Sequence, residues 1–137
     1  MMVGVFEQEA GAPPPTLARY LEALHRRDRA IRAWEQFFAR WDALLCPTAL
    51  VTAFPHCAPG ASLRVDDRDE TYWLASAHTT IFNYTGHPAL ALPCTHDRDG
   101  LPLGVQLVAK HWAEARLLGI AQAVAPLTGG FRRPLRY

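Results

Sequence analysis

The sequence predicts an α/β fold: a partial mixed sheet of about three strands with three helices packed against it. Three observations lead there. Apolar residues recur at helical spacing in two stretches, roughly 16–41 and 112–125, and a capping-box spacing marks a third helix between them. Three short apolar runs, Ala43–Cys46, Ala89–Leu92 and Leu103–Val108, have the length and composition of buried strands. Proline, glycine and aspartate clusters separate the runs where turns are needed.

Pro13, Pro14 and Pro15 close a weakly patterned segment, so residues 1–15 read as a flexible N-terminal stretch and structure as starting at Thr16. Leu17, Tyr20, Leu21, Leu24, Ile31, Trp34, Phe38 and Trp41 then mark one long amphipathic helix. The polar stretch from His25 to Arg29 makes Asp28 the place where it could break. Pro47 stops the first apolar run, and about twenty residues holding Pro55, Pro59 and Gly60 predict a long irregular loop. Asp67 three residues before Glu70 has capping-box spacing, which predicts a second helix from about Arg68 to Tyr84. Gly86 and Pro88 end it, because glycine accepts the left-handed conformation and proline cannot continue the hydrogen-bond ladder. The two later runs, joined through Asp97, Arg98, Asp99 and Gly100, predict an antiparallel hairpin. The last helix puts Leu117, Leu118, Ala121 and Val124 on one face.

Composition narrows the function. The chain has 137 residues, half of them hydrophobic and 20% charged, a composition unlike that of a disordered tail or an acidic or basic low-complexity segment. A net charge of +1 lacks the excess of basic residues that phosphate neutralisation requires, so no nucleic-acid partner is expected. Arginines 26, 27, 29 and 32 are interrupted by Asp28 and flanked by Glu22 and Glu35, which predicts i, i+4 pairing on a solvated face. Cys46, Cys57 and Cys94 form no CxxC pair, the N-terminus lacks a signal peptide's basic and apolar regions, and no apolar stretch approaches a membrane span; a cytoplasmic location is expected. Lys110 is the only lysine, and Ser62 and Ser76 are the only serines.

Apolar strands of this kind need cover on both faces, and a three-stranded sheet leaves two edges with unpaired N–H and C=O groups. The expectation is that more sheet belongs beside this one.

The strings YLEALHRRDRAIRAWEQFFARWDALLCPT, FNYTGHPALALPC, DGLPLGVQLV and WAEARLLGIAQAV occur in this order. They resemble the C-terminal portion of the amidase signature family over roughly 16–134. The resemblance implies an α/β/α fold with a large mixed sheet, with residues 16–137 as one end of it. It also implies carboxamide hydrolysis or transfer by a Ser, cis-Ser, Lys triad, whose nucleophile lies in a Gly-Gly-Ser-Ser-Gly-Gly-Ser-like segment with the lysine upstream. Neither motif is present in this sequence, Ser62 and Ser76 lack a glycine-rich context, and Lys110 lies far from the family's lysine position. No catalytic residue is therefore assigned, and the chain is expected to be inactive alone.

The resemblance further implies that the helix before FNYTG forms part of the acyl-pocket wall. In glutamine-using members an acidic residue stands seven positions before the motif's Asn, and here that position is Ser76, counted from Asn83. Ser76, Thr79, Thr80 and Asn83 are the candidate wall residues, for a neutral or apolar acyl group. Asn83 is also expected to bond nearby backbone, and His78 to be a polar position on a buried helix. Gln106, inside an apolar strand, needs a hydrogen-bond partner. His56 with Cys57 and Cys94 with His96 repeat no ligand spacing, so neither metal nor cofactor is expected. The alternative to an amidase fragment is a non-catalytic module that docks on a separate N-terminal amidase portion, or on itself, through its open sheet edges.

Overall fold

The computed structural model describes residues 16–129, 131 and 133. The segment 1–15, read from the sequence as flexible, lies outside the described residues.

Helix α1 (Leu17–Phe38) starts at Thr16, whose hydroxyl accepts from the Arg19 N–H at 3.3 Å, and runs through Asp28 without a break. The polar stretch does not interrupt it because these side chains stay at the surface or are satisfied laterally. Arg27 Nε donates to Tyr84 O at 2.7 Å, and Tyr84 Oη donates to Ala23 O at 3.3 Å. Only the end of α1 enters the core, through Trp34, Phe37 and Phe38; Leu17 and Tyr20 stand exposed.

Strand β1 (Leu44–Pro47) follows, and then the loop expected from its prolines. The stretch from Arg68 to Tyr84, expected as one helix, divides in two. Residues Ser62–Val65 (β2) and Arg68–Thr71 (β3) form a two-stranded hairpin, and helix α2 covers only Ala77–Thr85, after a 3-10 turn at Tyr72–Ser76. The capping-box reading fails for a conformational reason. Asp66 and Asp67 have φ of 46° and 64°, the positive values a two-residue hairpin turn demands, so Asp67 is a turn residue and not a helix cap. The helix end is as expected, with Gly86 left-handed at φ 79°.

Strands β4 (Ala89–His96) and β5 (Pro102–Val108) form the antiparallel hairpin. Asp97 closes it, its carboxylate accepting from the Asp99 and Leu101 N–H groups. The sheet order is β1-β5-β4, with Leu45 and Leu90 both opposite Leu107 and a register shift between Pro93 and Thr95. Both pairings are antiparallel, so a parallel pair of a mixed sheet would need strands other than these three.

Helix α3 (Glu114–Val124) packs Leu117 and Ala121 against Leu107, Leu90 and Leu92. Leu118, expected on that face, is exposed. Phe38 of α1 and Phe82 of α2 close on Val108 from the other side, with Leu44 and Cys46 beside them. Three layers result, helix, sheet, helix, and alternate residues of β5 serve the two cores because strand side chains alternate between faces. Gln106 has its partner: Nε2 donates to Cys46 Sγ at 3.4 Å. Among the described residues, β1 and β4 are each paired on one side only, and Leu45 of β1 is 57% exposed.

Candidate functional site

Ser76 stands at the start of α2 on the border of an open cavity of about 450 Å³, together with Thr48, Phe54, Tyr72, Trp73 and Leu103. Its walls come from three elements tied to one another. Leu50 N–H donates to Ala75 O at 3.0 Å, joining the post-β1 loop to the 3-10 turn. Thr48 Oγ1 donates to Gly104 O at 3.1 Å, joining the same loop to β5. Gly104 permits that approach, since a Cβ there would come within 3.0 Å of Thr48 Oγ1. The aromatic side is ordered by edge-on contacts, Phe54 to Tyr72 at 6.0 Å and Tyr72 to Trp73 at 5.3 Å between ring centres.

The polar atoms at this face are largely spent on local backbone. Ser76 Oγ donates to Trp73 O at 3.4 Å, while Thr79 and Thr80 Oγ1 donate to Ser76 O at 2.9 and 2.8 Å. No Asp, Glu, Lys, Arg or His is among the cavity's described lining residues. Thr79, Thr80 and Asn83 continue the face of Ser76 along α2 at helical spacing but do not line this cavity. Asn83 is exposed, and the backbone bond expected of it is not formed among the described residues. His78 lies on the opposite, core-facing side of α2, its Nδ1 buried without a partner beside Trp34, Leu44 and Cys46.

A second group of side chains converges where spacing gave no warning. Glu35 of α1, His87 after α2 and His111 after β5 place one ligand-type atom each within 4.8 Å of the others. His87 Nε2 is 3.4 Å and His111 Nδ1 is 3.6 Å from Glu35 Oε1; Lys110 Nζ is 3.6 Å from Glu35 Oε2. The His111 N–H also donates to Glu35 Oε1 at 3.1 Å. The imidazoles stack at 4.0 Å between centres, 13° from parallel. Burial, and secondarily the neighbouring His111, hold the His87 pKa below its ordinary value against the opposing pull of Glu35. Glu35 was expected to serve a solvated arginine face; it is instead drawn into this junction, and Lys110 with it. His56 with Cys57 and Cys94 with His96 form no such group among the described residues.

Among the described residues, no lysine amine is hydrogen-bonded to either serine. Lys110 is engaged by Glu35, and the Ser76 hydroxyl points its proton at a backbone carbonyl. No helix among the described residues is long and apolar enough to cross a membrane.

The sequence model of the family described as Amidase matches residues 7–118. A fatty acid amide hydrolase of Medicago truncatula is 33% identical over 123 residues, spanning 89% of this chain and 20% of that protein. A glutamyl-tRNA(Gln) amidotransferase subunit of Jannaschia sp. (strain CCS1) is 34% identical, spanning 100% of this chain and 26% of that protein. The crystal structure of the corresponding subunit from Thermotoga maritima superimposes with a TM-score of 0.69 at 26% identity, over 85% of this chain and 25% of that one. The chain thus spans between a fifth and about a quarter of the length of these relatives.

Proposed function

Because the chain belongs to the amidase signature family, we propose that it is the C-terminal portion of an enzyme that cleaves carboxamide C–N bonds, and that it supplies sheet strands and part of the acyl-pocket wall. The observation that carries this reading is the match of residues 7–118 to the family together with the shared fold. Amide hydrolysis needs an activated nucleophile, a base to move its proton and donors for the oxyanion. Lys110 and the two serines are not arranged for that work, so the nucleophile and base would come from the part of the relatives that this chain does not span.

In this reading Ser76 borders the cavity, and Thr79, Thr80 and Asn83 continue the wall beyond it along α2. With aromatic rings around Ser76 and no full charge on the lining, the cavity favours a neutral or apolar acyl group over one bearing a free ammonium. The chain alone, offered a panel of carboxamides, is expected to give no turnover. Turnover that Ser62→Ala or Ser76→Ala abolishes overturns the proposal. In an enzyme completed with an N-terminal amidase portion, Ser76→Asp should shift selectivity toward amides carrying an amino group.

The single-sided pairing of β1 and β4, with Leu45 exposed, favours a second reading alongside the first. The chain docks on a separate N-terminal amidase portion, or on itself, by adding strands at these edges. Size-exclusion chromatography with and without such a portion tests it, and a stable non-aggregating monomer that ignores the portion counts against it.

A further inference from the structure

The junction of Glu35, His87 and His111 has a feature that a structural ion pair does not need: its hydrogen bonds turn lone pairs inward. Thr85 Oγ1 donates its single proton to Ile81 O at 3.0 Å, one turn back in α2, so toward His87 Nδ1 at 2.8 Å it accepts. The proton of neutral His87 is therefore on Nδ1, leaving Nε2 bare; this atom is buried without a hydrogen-bond partner, on a side chain with 0% exposure. His111 Nε2 faces Thr85 O at 3.0 Å, and a carbonyl only accepts, so His111 carries its proton there and, when neutral, leaves Nδ1 bare. Both bare nitrogens face Glu35 Oε1. One residue, Thr85, itself 0% exposed, thus orients both rings from behind, as outer hydrogen bonds do for metal-binding histidines.

From this geometry we infer that Glu35, His87 and His111 form a three-ligand site for a divalent ion of the zinc type, with solvent as the fourth ligand. The spacing fits. Ligands at about 2.0–2.2 Å from a tetrahedral ion lie about 3.3–3.6 Å from one another, and the two nitrogen-to-carboxylate separations are 3.4 and 3.6 Å. The donor set, two imidazoles and a carboxylate, suits zinc better than calcium or magnesium. Two features oppose tight binding. The near-parallel stacking means that at least one ring must rotate to aim its lone pair at a shared point; His111, with 24% of its side chain exposed, is the less confined, and turning it loosens its bond to Thr85 O. Lys110 already supplies Glu35 with a positive charge, at the other carboxylate oxygen, and so competes with the ion. The bound ion would join α1, the segment after α2 and the end of β5.

The test is titration of the full chain, freed of metal by chelation, with zinc and with cobalt at neutral pH. One saturable ion per chain is expected, with a tetrahedral cobalt spectrum and a raised thermal midpoint. Glu35→Gln and His111→Gln should each weaken binding at least tenfold; His87→Gln risks the buried core, which is why the two less buried positions decide the matter. His56→Gln with His96→Gln should leave binding unchanged and so separates this site from surface histidines. Absence of saturable binding, or binding that survives both Glu35→Gln and His111→Gln, overturns the inference. No part of this test depends on amide hydrolysis.

Discussion

Phe82→Ala tests the packing that holds α2, and with it the candidate pocket wall, onto the sheet. Phe82 is 4% exposed, its ring centre lies 5.0 Å from that of Trp34, and it closes on Phe38 and Val108. Truncating a phenylalanine in such a place costs about 3–5 kcal/mol, of which the contact with Trp34 accounts for about 0.5–1.5 kcal/mol. With a urea slope of about 2 kcal/mol per molar for a chain of this size, a loss of about 4 kcal/mol lowers the unfolding midpoint by about 2 M. Urea titration followed by tryptophan fluorescence reads this, because Trp34, one of four tryptophans, is in contact with the deleted ring. Phe54→Ala, at a ring 41% exposed, is the control and should cost under about 1 kcal/mol. A midpoint shift below about 0.5 M for Phe82→Ala, or one no larger than the control, refutes the assignment of Phe82 to the core that anchors α2.

Three further outcomes are expected. His87 has a lowered pKa in the folded chain, so between that value and its ordinary one the unfolded chain binds more protons; stability should fall as pH drops through about 6.5. A pH series of thermal midpoints should show this fall, and His87→Gln should flatten the contribution. Gly86→Ala forces an alanine to φ 79° beside Arg27 Nη2 and should cost about 1–2 kcal/mol by chemical denaturation; a neutral result would mean that the helix end is not held left-handed. Leu45→Lys puts a charge on the exposed side of β1 and should change the stability of the isolated chain by less than about 0.5 kcal/mol. Sedimentation should show it weakening association with an N-terminal amidase portion or with a second copy, and unaltered association argues against β1 as the docking edge.

Much of the fold was legible because the signals were local. Thr16 caps α1, Asp97 and Gly100 close the β4–β5 hairpin, and Gly86 stops α2, each through bonds or dihedrals within a few residues of itself. The one large misreading, a helix from Arg68 onward, arose because an aspartate three residues before a glutamate serves a helix cap or a tight hairpin turn equally well. The choice went to the hairpin once Leu63 could be buried on β2 while the charged residues of β3 stayed largely exposed. The β1–β5 pairing joins residues some sixty positions apart, and no local pattern specifies that register.

The candidate site divides the same way. The family resemblance pointed to Ser76, Thr79, Thr80 and Asn83, because the motif around Asn83 marks the helix before it and a count of seven positions back from Asn83 reaches Ser76. The aromatic surroundings of Ser76 came only from folding, since Thr48, Phe54 and Leu103 reach it from separate elements. Glu35, His87 and His111 had no signal at all. Each is unremarkable in its own segment, and they meet only because α1, the turn after α2 and the exit of β5 cross at one point. By itself, then, the sequence determined the α/β class, the family and the lack of the triad's sequence motifs, because these are written in composition, motif and periodicity. Register, burial and the convergence of distant polar atoms were decided by tertiary structure alone, since they depend on which surfaces pack together and not on what stands next in the chain.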